Sequence, residues 1–145
     1  MYNVNTQKID EILTYIDNSL LPTLASVMGQ SKETFIDQPT AAFAAERMFH
    51  LLIEGMTDVG NHLIDGFIMR DPGSYEDIVD IMEDESVYTA EQAAVFKEII
   101  LLRRDLVLNY THPIHEKLYD TYVQHVVVME EYTALIRKYL KQELW

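Results

Sequence analysis

Apolar residues return at helical intervals along almost the whole chain. Ile9, Ile12, Leu13, Ile16 and Leu20 stand at offsets of 0, 3, 4, 7 and 11, one face of a helix over residues 6–28. Pro22 is expected to kink or shorten the end of that helix, and Gly29-Gln30-Ser31 to stop it. Residues 31–40 are polar, contain Pro39 and read as a connector. A second helix is expected from Thr40 to about Arg70, with Leu52, Met56, Val59 and Leu63 as a bundle seam. Gly55, Gly60 and Gly66 interrupt it. Each weakens a helix by about 1 kcal/mol relative to Ala, so close approach of a neighbouring backbone is the expected reason for them. The same helix carries a polar row, Glu46, His50, Glu54, Asp58 and His62, in which neighbours four residues apart can touch. A solvated face laced with acid–imidazole pairs is the expectation for this row.

Asp71-Pro72-Gly73 is a turn, and Ser74 caps a short third helix with Asp77 in the place of the usual capping-box Glu. Ile78, Ile81 and Met82 form its apolar side. Its many carboxylates read as a solvated surface, because helix-borne acids alone rarely make a cation cage. Thr89-Ala90-Glu91-Gln92 is a regular capping box and opens the fourth helix, whose stripe runs Ala93, Phe96, Ile100, Arg103, Val107, Tyr110. Pro113 is expected to open the fifth helix. Leu118, Tyr122, His125, Met129, Tyr132, Ile136 and Tyr139 keep the three–four alternation there, and His125 reads as a satisfied core histidine. No strand alternation, repeat or linker interrupts the pattern. The expected fold is all-α, an up-and-down helical bundle of four long helices plus one short helix, in a single domain over residues 1–145.

Composition narrows the function. The 145 residues are 48% hydrophobic, enough for one core. The absence of cysteine removes disulfides and thiolate metal sites and makes a reducing cytoplasmic home the simplest expectation. The first residues lack the basic start and apolar block of a signal peptide, and no apolar run approaches the ~20 residues of a membrane span. A net charge of −13 argues against a broad nucleic-acid surface, while leaving room for a small basic site or a basic protein partner. A metal-carrying bundle ranks last. Di-metal carboxylate bundles use two Glu-x-x-His pairs, which this chain lacks, and His112-x-x-His115-Glu116 is too sparse for zinc. No metal or other cofactor is therefore assigned.

The candidate chemistry lies in Ile99–Pro113. Two arginines, Arg103 and Arg104, interrupt an apolar run that ends in Asn109-Tyr110, then His112 and Pro113. Arg103 falls on the stripe that should face the core, and a guanidinium is almost never buried without a partner. Two explanations stand. One is an ion pair with a carboxylate of the second helix, Glu54 or Asp58. The other is a cleft in which Arg103 and Arg104 meet a phosphate.

On these residues the chain resembles the HepT-like branch of the HEPN superfamily, and within it the YutE-like subgroup of uncharacterised bacterial proteins. That branch carries an Arg-x4-His-x-Tyr motif late in a helical bundle. Arg103, four residues, Leu108, Asn109 and Tyr110 fall on that frame. Upstream, Glu54-x3-Asp58-x2-Asn61-His62-Leu63-Ile64 is similar to the second-helix signature, and the likeness covers roughly residues 40–140. The resemblance implies a HEPN-like homodimer in which two copies of the motif meet across a cleft and cleave RNA without metal. The motif His would move protons and the Arg would hold the phosphate. It further implies a toxin neutralised by a minimal nucleotidyltransferase, which adds AMP to the motif tyrosine, here Tyr110. By that frame the catalytic candidates are Arg103, Asn109 and Tyr110, with Arg103 and Arg104 on phosphate and Glu54 and Asp58 as supporting carboxylates. At the motif His position this chain has Leu108, which cannot transfer a proton; His112, two residues past Tyr110, is the substitute candidate. Two function classes follow: a ribonuclease toxin with weakened or lost cleavage, or a non-catalytic dimeric module that binds RNA, a nucleotide or a partner protein.

Overall fold

The computed structural model describes residues 2–144. Helix α1 (Thr6–Tyr15) starts on Asn5, whose side chain accepts from the Lys8 amide at 3.1 Å. It runs through one widened π turn, Ile16–Leu20, into α2 (Leu21–Met28). Pro22 lacks an N–H to give to the preceding turn, and the wider turn sits directly before it. The proline therefore neither shortens nor ends the helix. One stripe, Ile9, Leu13, Ile16, Leu20, Leu24 and Met28, stays buried along its whole length.

The stretch 31–40 is more than a connector. Ser31 accepts from the Thr34 amide at 3.2 Å and opens a single-turn helix, α3 (Lys32–Ile36), that drives Phe35 into the core. Helix α4 (Pro39–Phe67) begins with Pro39 in its first turn and forms the spine of the bundle, touching all six other α-helices. Leu52, Met56, Val59 and Leu63 are all buried. Its glycines mark close approaches: a Cβ on Gly60 would collide with Ile78, and one on Gly66 would stand 2.8 Å from the Val4 Cα. Helix α4 ends earlier than Arg70, on Ile68 in the left-handed conformation, φ 57°.

Helix α5 (Tyr75–Asp84) is capped by Ser74, which accepts from the Asp77 amide at 3.0 Å. Asp77 does not close a reciprocal box. Its carboxylate accepts from the Gly73 amide and, at 2.8 Å on each oxygen, from Arg70. The Arg70 guanidinium holds its pKa down at about 2. Helix α6 (Ala90–Arg103) opens on the complete Thr89–Gln92 capping box. It continues as a second π turn, Arg104–Leu108, closed by Asn109 N–H donating to the Arg104 carbonyl. Helix α7 (His115–Leu144) starts two residues beyond Pro113.

Leu118, Met129, Tyr132, Ile136 and Tyr139 of α7 are buried, as their alternation implies. His125 keeps only 11% of its side chain exposed and is paired with Glu98 at 2.8 Å. On α6 the stripe holds through Ala93, Phe96 and Ile100 and then fails: Tyr110 is 63% exposed. A π turn takes about one residue more than an α turn, so positions after Arg103 rotate off the core-facing line. Among the described residues the architecture is all-α, four long helical rods with two short helices, and no helix is long and apolar enough to cross a membrane.

A candidate phosphate groove over α4

Arg103 is the last residue of α6 and leans on α4. Its Nε donates to Glu54 Oε1 at 3.1 Å, and its guanidinium carbon lies 4.2 Å above the centre of the Tyr75 ring. The side chain remains 27% exposed and that of Glu54 35% exposed, so the pair lies at the rim of the core rather than inside it. Asp58, one turn further along α4, is exposed and has no ion-pair partner among the described residues. It lines a surface cavity of about 380 Å³ together with Glu54, Thr57, Asn61 and Tyr75.

The polar row of α4 forms two acid–imidazole contacts. Glu54 Oε1, which receives Arg103, is also 3.6 Å from His50 Nε2. Glu46 is 2.9 Å from His115 Nε2 at the start of α7, under the edge of Phe43. Together these contacts fix the path of the motif segment. It leaves α4 at Glu54, carried by Arg103, and returns to α4 at Glu46, carried by His115. Eight residues of helix separate the two anchors, about 12 Å.

Between the anchors the motif side chains face solvent. Arg104 is exposed with no carboxylate partner among the described residues, and Leu108 is 68% exposed. Asn109 Nδ2 donates to Asp105 at 3.3 Å, with Lys117 3.8 Å from the same carboxylate. Tyr110 projects outward. His112 is exposed, its amide bonded to the Asn109 carbonyl and its Nδ1 3.2 Å from the Thr111 hydroxyl. Four of the chain's eleven cations, Arg47, Arg103, Arg104 and Lys117, lie on this segment or on the elements it touches, interleaved with Glu46, Glu54 and Asp105. No three His, Asp or Glu side chains converge as a cation cage among the described residues. The arrangement is suited to gripping an anion along the segment. It offers no general base at Leu108.

A family model described as Ribonuclease HepT-like matches residues 4–136. The chain belongs to the HepT-like ribonuclease family. The Bacillus subtilis protein named "Putative RNase YutE" is 38% identical over 144 residues, covering 99% of this chain and 95% of its own length. A solved structure of YutE from Bacillus subtilis, titled a cytosolic protein of unknown function, superposes with a TM-score of 0.90 at 37% identity, over 99% of this chain and 96% of that one. A toxin–antitoxin structure solved with AMP-PNP shares the fold at a TM-score of 0.77 and 16% identity, covering 88% and 96% of the two chains. In this HepT-like chain the Glu54 and Tyr75 supports of Arg103 come from segments distant in sequence. Tyr75 belongs to the Asp71–Tyr75 turn that is part of the family resemblance, but nothing in the sequence marked it as the ring on which Arg103 stacks. Glu54 and Asp58 were equivalent as partners until the crossing of α4 and α6 separated them.

Proposed function

We propose that this HepT-like protein is a homodimer that binds RNA through phosphates held by Arg103 and Arg104, with Asn109 and Tyr110 as hydrogen-bonding neighbours, and that its RNA cleavage is weakened. The observation that carries the reading is Leu108, an exposed aliphatic side chain on the motif turn where a proton carrier would stand. General acid–base participation contributes about 10²–10⁴-fold in rate, so its loss at this position leaves binding in place and removes most of the turnover. His112 remains the candidate within the motif segment for a displaced imidazole. Exposed Leu101, Val123 and Val127 on α6 and α7 support association with a second copy. The exposed Tyr110 hydroxyl supports its role as the acceptor of AMP from a minimal nucleotidyltransferase antitoxin.

The test is cleavage and binding of a labelled single-stranded RNA by the wild type, Arg103→Ala and Leu108→His. Slow wild-type cleavage, raised by Leu108→His, with binding lost in Arg103→Ala, is the expected result. Undiminished binding by Arg103→Ala would remove the groove from the reading. It would favour the second function class, a dimeric module for a nucleotide or protein partner.

A further inference from the structure

We infer that the cavity beside Arg103 is a guanine-binding pocket, in which the Asp58 carboxylate reads the base of a nucleotide whose phosphate Arg103 holds. The inference rests on the reading of the motif segment as an RNA phosphate site, and four observations carry it. First, the cavity, about 380 Å³, lies between one face of α4, with Glu54, Thr57, Asp58 and Asn61, and the turn that leads into α5. That volume falls within the ~300–1,000 Å³ of small-molecule sites. Second, Thr57 on its wall is only 6% exposed, and its hydroxyl has no hydrogen-bond partner among the described residues. A buried hydroxyl left unpaired carries a desolvation cost, which a ligand with a matching polar group offsets. Third, Asp58 and Asn61 stand at the exposed rim with no ion pair or side-chain hydrogen bond among the described residues, so both are free for a ligand. Fourth, Tyr75 lines the cavity and carries the Arg103 guanidinium 4.2 Å above its ring. The cavity therefore begins where the phosphate grip ends.

The charge of the walls selects which part of a nucleotide enters. Glu54 and Asp58 repel a phosphate, which stays at Arg103 and Arg104. No third acid or imidazole joins these two carboxylates as a cation cage among the described residues. What the walls accept is a neutral group rich in N–H donors. A carboxylate is acceptor-only, with two oxygens side by side. Guanine is the RNA base whose pairing edge offers two adjacent donors, the ring N1–H and the 2-amino group. Adenine, cytosine and uracil each set one donor group beside acceptors on that edge, which an unpaired base in a single strand leaves open. Guanine N1–H and the 2-amino group donate to the Asp58 carboxylate. The Asn61 carboxamide and the Thr57 hydroxyl are the donors for the neighbouring O6. Asp58 is thus a specificity-determining residue, and the Tyr75 ring joins the base pocket to the guanidinium that grips the phosphate.

The experiment measures, by fluorescence anisotropy, the binding of labelled uridine-rich single-stranded RNAs that carry one guanine, one inosine or one adenine at the same position. The proteins are full-length wild type, Asp58→Asn and Thr57→Val. Expected is a wild-type preference of about ten-fold or more for guanine over adenine, with inosine, which lacks the 2-amino group, in between. Asp58→Asn should bind the three RNAs within about two-fold of one another, because the paired acceptor is gone while Arg103 and Arg104 still hold the backbone. Asp58 is exposed and unpaired, so this variant keeps the fold. Thr57→Val keeps the side-chain shape and removes the hydroxyl. It should weaken the guanine RNA selectively with a urea midpoint equal to or above that of wild type, whereas a purely structural hydroxyl would lower the midpoint and leave the preference unchanged. Equal wild-type affinity for the three RNAs overturns the inference and leaves the phosphate reading standing. A guanine preference that survives Asp58→Asn also overturns it. Wild-type protein that binds none of the RNAs sinks both.

Discussion

Replacing Glu54 with glutamine probes the groove where its two halves meet. Glutamine keeps the volume and a carbonyl oxygen for Arg103 Nε, and removes the charge. The pair is neither buried nor free: Arg103 is 27% and Glu54 35% exposed in their side chains, with Tyr75 stacked on the guanidinium. Fully exposed pairs are worth about 0–1 kcal/mol and breaking a fully buried one costs about 3–5, so partial exposure places the loss for Glu54→Gln near 1 kcal/mol. In a chain of this size that is a drop of about 2–4 °C in Tm. The effect on binding runs opposite to the effect on stability. A carboxylate about 6 Å from a bound phosphate, at an effective dielectric between protein and water, repels it by about 1 kcal/mol. Removing it should therefore tighten RNA binding on the order of five-fold. Urea melts and fluorescence anisotropy on one preparation read both. RNA binding that weakens in Glu54→Gln would refute the competition between carboxylate and phosphate. A stability loss above about 3 kcal/mol would refute the placement of the pair at the rim.

The remaining expectations concern the motif turn and the frame that holds it. Leu108→His should raise cleavage by on the order of 10²-fold over wild type with RNA affinity little changed, measured as single-turnover rate against anisotropy. Ile68, 77% exposed, is a β-branched residue at φ 57°, a conformation that costs an L side chain about 1–2 kcal/mol. Ile68→Gly relieves that strain and should raise the urea midpoint, by a net gain of about 1 kcal/mol after the glycine entropy cost. The Asp77 carboxylate, held at about 2 against an ordinary 3.8, contributes stability that is present above about pH 4 and lost as pH falls towards 2, because the unfolded chain binds the proton first. Urea midpoints of wild type and Asp77→Asn should therefore converge over that window and differ above it.

Much of the frame was legible because helical burial repeats. The seams of α4 and α7 and the Thr89 capping box could be read from spacing, since each position on such a face meets the core independently of what lies opposite. What escaped was local and short. Helix α3 is a single turn, too brief for any period. The π turns at Ile16–Leu20 and Arg104–Leu108 are invisible to a three–four alternation, which continues on paper through an extra residue while the chain itself rotates. This is why Tyr110, aligned with the core stripe in sequence, stands in solvent. The site followed the same division. Arg103 was conspicuous because a charge broke an apolar face. Its choice of Glu54 over Asp58, its stacking on Tyr75 and the nearness of His50 depend on how α4 crosses α6, which no single helix records.

The charges along the motif segment bear on how an acidic protein would take the proposed nucleic-acid ligand. Of its four cations, Arg103 is already engaged by Glu54, Lys117 lies near Asp105 and Arg47 is bonded to His50, leaving Arg104 with no carboxylate among the described residues. A phosphate entering here meets the free Arg104 guanidinium and must compete with a carboxylate for Arg103. The rest of the surface, at net −13, repels the flanking backbone. Binding built this way is short-range, confined to the few nucleotides that cross the motif segment. Its salt dependence should correspond to about two to three phosphates rather than to the long tracts read by basic proteins. If RNA is the ligand, as proposed, general attraction does not hold it here, and the groove favours strands that can place one phosphate beside the motif segment.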